Sequence, residues 1–164
     1  MTPAQLAKDS ESSQQMALFA WCAIAMNYGF DIAVALDNGA SFDAARDHGS
    51  VCPVPELKWI HHIPNGGSRG NDVRSQQIRG ARLKAEGVRS GVSDICLPVK
   101  RGNCSGLYIE MKKPDLKPKR ATSKGGCSDE QIEFGAFVQA QGFGFVVCYT
   151  WIEARDVIIA YLNS

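Results

Sequence analysis

Apolar and polar positions along the chain follow two different periods, and each change of period marks the edge of an element. SESSQQMALFAWCAIAMNYG predicts a first helix. Ser10 or Ser12 caps it, and Met16, Phe19, Ala20, Ala23, Ile24 and Met26 form an apolar stripe at 3.6-residue spacing. Gly29 ends it. Residues 30–57 mix one short apolar run with Asn-Gly, Asp and Pro breakers, which fits a short strand or helix followed by a loop. LKWIHHI is β-prone, PNGGSRGND is turn chemistry, and VRSQQIRGARLKAEG reads as a basic helix closing at Gly87.

The second half alternates more sharply. GVSDICLPV predicts a strand, KRGNCSG a polar turn, and LYIEMK a second strand. KPDLKPKRATSKGG is a cationic loop, and CSDEQIEFGAFVQAQG a helix opened by a Ser128–Gln131 capping box. FGFVVCY reads as a buried-type strand, with Phe143, Phe145 and Val147 as core material. A second capping box, Thr150 to Glu153, starts a closing amphipathic helix. This order predicts an α/β fold with a mixed central sheet and helices for both faces.

Composition narrows the class. The 164 residues suit one domain, with 30–57 as a possible insertion. A 45% hydrophobic content argues against disorder, and no apolar run is long enough for a membrane span. The N-terminus MTPAQLAKDSESSQQ lacks a signal-peptide core, so the expected location is cytoplasmic and not secreted. The six cysteines are scattered with no CxxC pair, and His61-His62 has no nearby third ligand. Free thiols are therefore expected, and no zinc.

A formal net charge of +1 conceals a division along the chain. Residues 58–126 hold fifteen Lys/Arg against five acids, whereas 1–57 balance to −5 and 127–164 to −4. A basic middle third of this kind can neutralise phosphates and release their counterions. A solvated cationic face is the simpler meaning, and two of the five acids argue against it.

Those two are Asp94 and Glu110, which stand in the pattern D-(15)-E-x-K with Lys112. On a strand, Glu110 and Lys112 leave the same face, while Leu107, Ile109 and Met111 point to a core. A turn centred on Gly102 sets Asp94 across from Glu110, and facing carboxylates want a cation between them. Oxygen donors alone select Mg²⁺ or Mn²⁺, and a backbone carbonyl such as that of Met111 completes such a set. Lys112 beside it can orient water or neutralise developing charge. An ordinary surface hairpin with a Glu-Lys pair is the competing reading of E-x-K alone.

HHIPNGGSRG, ARLKAEGVRSGVSDICLP, GLYIEMKKP and CSDEQ, in this order, resemble the VRR-NUC (virus-type replication-repair nuclease) domain of the PD-(D/E)XK superfamily. The resemblance covers about residues 56–164, and the first helix extends it. It implies a restriction-endonuclease-like αβββαβ core and a metal-dependent endodeoxyribonuclease. It assigns catalysis to Asp94, Glu110 and Lys112, adds Gln131 and the helical Glu11, and places Asp94, Glu110, Met111 and Glu11 around the metal. Gln131 has a second reading as a capping residue, and Glu11 as a favourable helix-start acid with Gln15 facing the site beside it. Asn65 and Arg69 in the turn, and Lys113, Lys117, Lys119, Arg120 and Lys124 in the cationic loop, are the implied DNA contacts. Ser93 departs from the family's Pro before the Asp.

The expected partner is branched DNA, a four-way junction or flap, in replication, repair or recombination. Similar stand-alone domains act as homodimers, and the expected setting is a bacterial or phage-infected cell. The alternatives are a catalytically silent DNA-binding module, a sequence-specific restriction-type endonuclease and, less fitting without a Gly-rich phosphate loop, a small-molecule enzyme.

Overall fold

Gly29 can adopt φ +95°, a conformation that side chains resist, and there the first long helix breaks. A Cβ at this position would lie 2.4 Å from the carbonyl oxygen of Cys52, so the break also lets residues 50–54 pack close. The computed structural model describes residues 2–8, 10–64, 73–120 and 123–164. A short helix α1 (Pro3–Leu6) precedes α2 (Glu11–Tyr28), whose N-cap is Ser10.

The buried face of α2 is not the stripe expected from the sequence. Gln14, Ala17, Leu18, Trp21, Cys22 and Ala25 face the core, while Met16 is 52% exposed. The helix is apolar on nearly every side, so periodicity alone does not choose its phase. The choice comes from its contacts with β3 and α7, defined below. Burying Leu18 contributes roughly 1.5–3 kcal/mol, enough to decide the phase once that surface exists.

Of the short strand or helix expected at the start of residues 30–57 it is the helix that forms, and the expected loop holds a second helix and a 3₁₀ turn. These are α3 (Phe30–Asp37), α4 (Phe42–His48) and a 3₁₀ turn (Pro55–Trp59). Asp37 of α3 pairs with Arg155 across a nearly buried gap of 3.2 Å, which ties this segment to the C-terminal helix. The first three residues of the β-prone LKWIHHI stretch belong to that 3₁₀ turn, because Pro55 starts a helical turn readily, and only β1 (His61–His62) is strand. Helix α5 (Val73–Ala85) then leads to β2 (Ile95–Leu97) and β3 (Leu107–Met111). After a 3₁₀ turn (Pro114–Leu116) come α6 (Asp129–Ala140), β4 (Gly144–Cys148) and α7 (Trp151–Leu162).

The sheet order is β1-β2-β3-β4, with β1 and β3 antiparallel to β2 and β4 parallel to β3. Setting aside α5 and the small helices, α2, three strands, α6 and β4 reproduce the expected αβββαβ order with mixed pairing. Leu107, Ile109 and Met111 point into the core with Leu18, Trp21, Trp151 and Ile158. On the opposite face, α6 covers the β3–β4 half, where Tyr108 meets Phe134 edge-on.

Two further readings are corrected. β4 lies at the sheet edge, so Phe145 and Val147 are half-buried and not deep core. The Thr150 cap accepts from the Glu153 amide, but the Glu153 carboxylate reaches past the cap to the amide of Tyr149. The second capping box is therefore only half formed. No helix among the described residues is long and apolar enough to cross a membrane.

Candidate active site

The β2–β3 register pairs Ile95 with Ile109, so one further step sets Asp94 opposite Glu110, as the turn arithmetic expects. Hydrogen bonds at both its side chain and its backbone hold Asp94 in place. Its Oδ2 accepts from the Met111 amide at 2.9 Å. Its own carbonyl accepts from the Ile63 amide at 2.7 Å and from His62 Nδ1 at 2.9 Å. Just upstream, Gly91 (φ +86°) lies so close to Glu130 that an added Cβ would meet its backbone at 2.7 Å. That approach seats the start of β2 against the first turn of α6.

Glu110 is 1% exposed, and Lys112 is buried beside it on the same strand face. The Lys112 ammonium donates to Glu110 Oε1 at 2.8 Å. Gln131 Nε2 donates to the same oxygen, while Gln131 Oε1 accepts from the Ser128 amide at 2.9 Å. Gln131 therefore caps α6 and contacts Glu110 at once, because an amide side chain has a donor end and an acceptor end. Glu110 Oε2 is buried with no hydrogen-bond partner among the described residues.

The electrostatics follow from this crowding. Burial, then the Asp94 charge and more weakly Glu11, push the Glu110 carboxyl from its ordinary 4.5 up to about 7, against the opposing pull of Lys112. Burial alone would lower Lys112, but the hydrogen bond and charge of Glu110, helped by Glu11, hold its pKa above the ordinary value. Desolvation and a facing carboxylate act together on Glu110.

The structure thus brings Asp94, Glu110, Lys112 and Gln131 together, with the Glu11 charge acting on both Glu110 and Lys112. Gln15, one turn along α2 from Glu11, is partly buried. Cys127 also lies within reach of the Lys112 and Glu110 charges, and burial raises its thiol pKa. Neither Cys127 nor the role of His62 in holding Asp94 was legible. A cap-preceding cysteine carries no pattern, and a His-to-carbonyl bond depends on strand register.

As a cation site, the donor set is chemically suitable. It offers carboxylate oxygens, among them the buried Glu110 Oε2 that has no hydrogen-bond partner among the described residues. Among the described residues, however, no three His, Cys, Asp or Glu side chains stand close enough to form a ready-made cage. A cation here would draw on Asp94, Glu110 Oε2 and the carbonyl of Met111, with Glu11 nearby.

The cationic loop is ordered in part by its own ion pairs. Lys117 contacts Glu153 and Lys124 contacts Asp129, each at 2.5 Å. Lys113, Lys119 and Arg120 are exposed, with no carboxylate within 4.0 Å among the described residues. Lys117, Lys119 and Arg120 rim an open cavity of about 530 Å³. Asn65 and Arg69 lie outside the described residues.

An α2 helix, a mixed four-stranded sheet and acidic residues at facing strand ends define a restriction-endonuclease-like fold. A solved structure described as a VRR_NUC domain protein shares it, at 20% identity and a TM-score of 0.57, covering 96% of this chain and 92% of that one. No protein-family profile matches the sequence, and no curated protein does.

Proposed function

We propose that the chain is a Mg²⁺- or Mn²⁺-dependent DNA endonuclease acting on branched substrates, four-way junctions or flaps. The observation that carries this reading is the buried Glu110 carboxylate, with one unpartnered oxygen, facing Asp94 and flanked by Lys112. Evolution of a stable fold alone would not favour such a group, because an acid buried beside another acid is costly. The fold shared with a VRR_NUC domain protein supports the same class.

In this reading Asp94, Glu110 and the Met111 carbonyl hold the ion, with Glu11 adding negative charge at its edge. A divalent ion supplies Lewis-acid polarisation of the scissile phosphodiester. Lys112 keeps its proton at Nζ and neutralises charge that develops on the phosphoryl oxygens. Gln131 fixes the Glu110 carboxylate orientation through Nε2, leaving Oε2 for the ion. Lys113, Lys119 and Arg120 contact the backbone, and so do Lys117 and Lys124 once phosphates compete with their present carboxylate partners. A homodimer would present two such sites to two strands of a junction.

The test is cleavage of four-way junction, flap and linear duplex DNA by the wild type, Glu110→Ala and Lys112→Ala, with Mg²⁺ or Mn²⁺. The wild type is expected to cut branched DNA and both variants to lose that activity. Full metal-dependent activity in both variants overturns the site. Wild-type binding without cutting in Mn²⁺ replaces the nuclease with a silent DNA-binding module.

A further inference from the structure

Of the three tryptophans, Trp21 and Trp151 are core residues, whereas Trp59 is 61% exposed. Phe137 on α6 is 60% exposed as well, so exposure alone assigns no use, and what sets Trp59 apart is the cation at its ring. Trp59 is rigidly mounted. It ends a 3₁₀ turn whose flanking Leu57 and Ile60 are buried, and its carbonyl accepts from His61 Nδ1 at 3.0 Å. The Lys58 ammonium stands 5.3 Å from the Trp59 ring centroid.

The neighbouring strand β1 ties the segment that carries this ring to Asp94. His61 pairs with Cys96 and Cys96 with Tyr108, so His61 shares the sheet face that carries Asp94 and Glu110. The Ile63 amide donates to the Asp94 carbonyl, and Trp59 stands four residues before Ile63, so chain length alone keeps the Trp59 and Asp94 backbones within roughly 17 Å of each other. That distance spans a few nucleotides of backbone. The Lys58 cation beside the ring suits a planar base with its phosphate.

We propose that Trp59 is a stacking platform for an unpaired nucleobase, with Lys58 taking the adjacent phosphate, so that the open end of the sheet reads single-stranded segments next to the cleavage site. This rests on the nuclease reading above and adds the source of its preference for DNA that is not fully paired.

Because the other two tryptophans are buried, an added ligand reports mainly on Trp59 emission. The full chain is titrated in EDTA with an oligothymidylate of about a dozen nucleotides and with a blunt duplex of equal length. The single strand is expected to quench the emission and the duplex not to. Trp59→Ala is expected to weaken single-strand binding about tenfold, at least fivefold more than duplex binding, with Trp59→Phe keeping most of the affinity. Single-strand binding without quenching, or equal weakening of both DNAs in Trp59→Ala, overturns the platform while leaving a wild type that cuts branched DNA intact as a nuclease. A wild type that binds no DNA overturns both.

Discussion

Replacing Glu110 by Gln removes the titration of the site while keeping its shape and its acceptor oxygen for Lys112 and Gln131. The wild-type carboxyl moves from 4.5 to about 7 on folding, with burial as the main cause. A raised acid favours the protonated form in the native state. Its penalty is therefore absent below the unfolded value and grows as pH rises through the window between 4.5 and about 7. From that shift the penalty is small at pH 5 and on the order of 3 kcal/mol at pH 8. Glu110→Gln carries no such penalty. In EDTA, its stability relative to the wild type should rise by roughly 2 to 3 kcal/mol between pH 5 and pH 8. Urea denaturation of both proteins at the two pH values, with equal m-values, measures this difference. Adding Mn²⁺ at pH 8 should then stabilise the wild type and leave Glu110→Gln nearly unmoved, since only the carboxylate attracts the ion. Parallel wild-type and variant stabilities across the pH range would refute the assignment of Glu110 as a strained, desolvated acid.

Three other perturbations follow from the packing. Ser93 is fully buried and its hydroxyl has no partner among the described residues, so Ser93→Ala should raise stability by about 1 kcal/mol in thermal melts; a clear loss would mean the hydroxyl is satisfied. Arg155→Ala strands Asp37 in a largely buried position and should cost about 3 kcal/mol, whereas replacing both partners with apolar residues should cost far less, and a double-mutant cycle separates the two. If Lys119 and Arg120 each contact a phosphate, changing both to Ala should lower the slope of log affinity against log salt by roughly 1.8, and an unchanged slope would remove them from the interface.

The part of the site built on one hairpin was legible, because strand alternation and turn length are local. Placing Asp94 opposite Glu110 required only that the turn centre on Gly102, and the observed register agrees. The phase of α2 was not legible. Leu18 and Trp21 look no more apolar than Phe19 and Ile24, and the surface that chooses between them comes from β3 and α7, far along the chain. Residues 30–57 escaped for the opposite reason. Their helices are only one or two turns long, too short for a period to show, and they are held by packing and by pairs such as Asp37–Arg155. The carboxylate partners of Lys117 and Lys124 were equally hidden, since the carboxylate of Glu153 lies 36 residues from Lys117.

Gln131 ties the first turn of α6 to the Glu110 carboxylate through one side-chain amide. Any substitution there is judged twice, once by the helix and once by the site, so loss of activity in a Gln131 variant does not by itself report chemistry. The same coupling runs the other way. A change in the charge on Glu110 alters the pull on that amide, and the start of α6, with Asp129 and its Lys124 partner, becomes a structural readout of the site. Amide exchange at the Ser128 and Gln131 backbone is thus a place where occupancy of the carboxylates can be followed without any substrate.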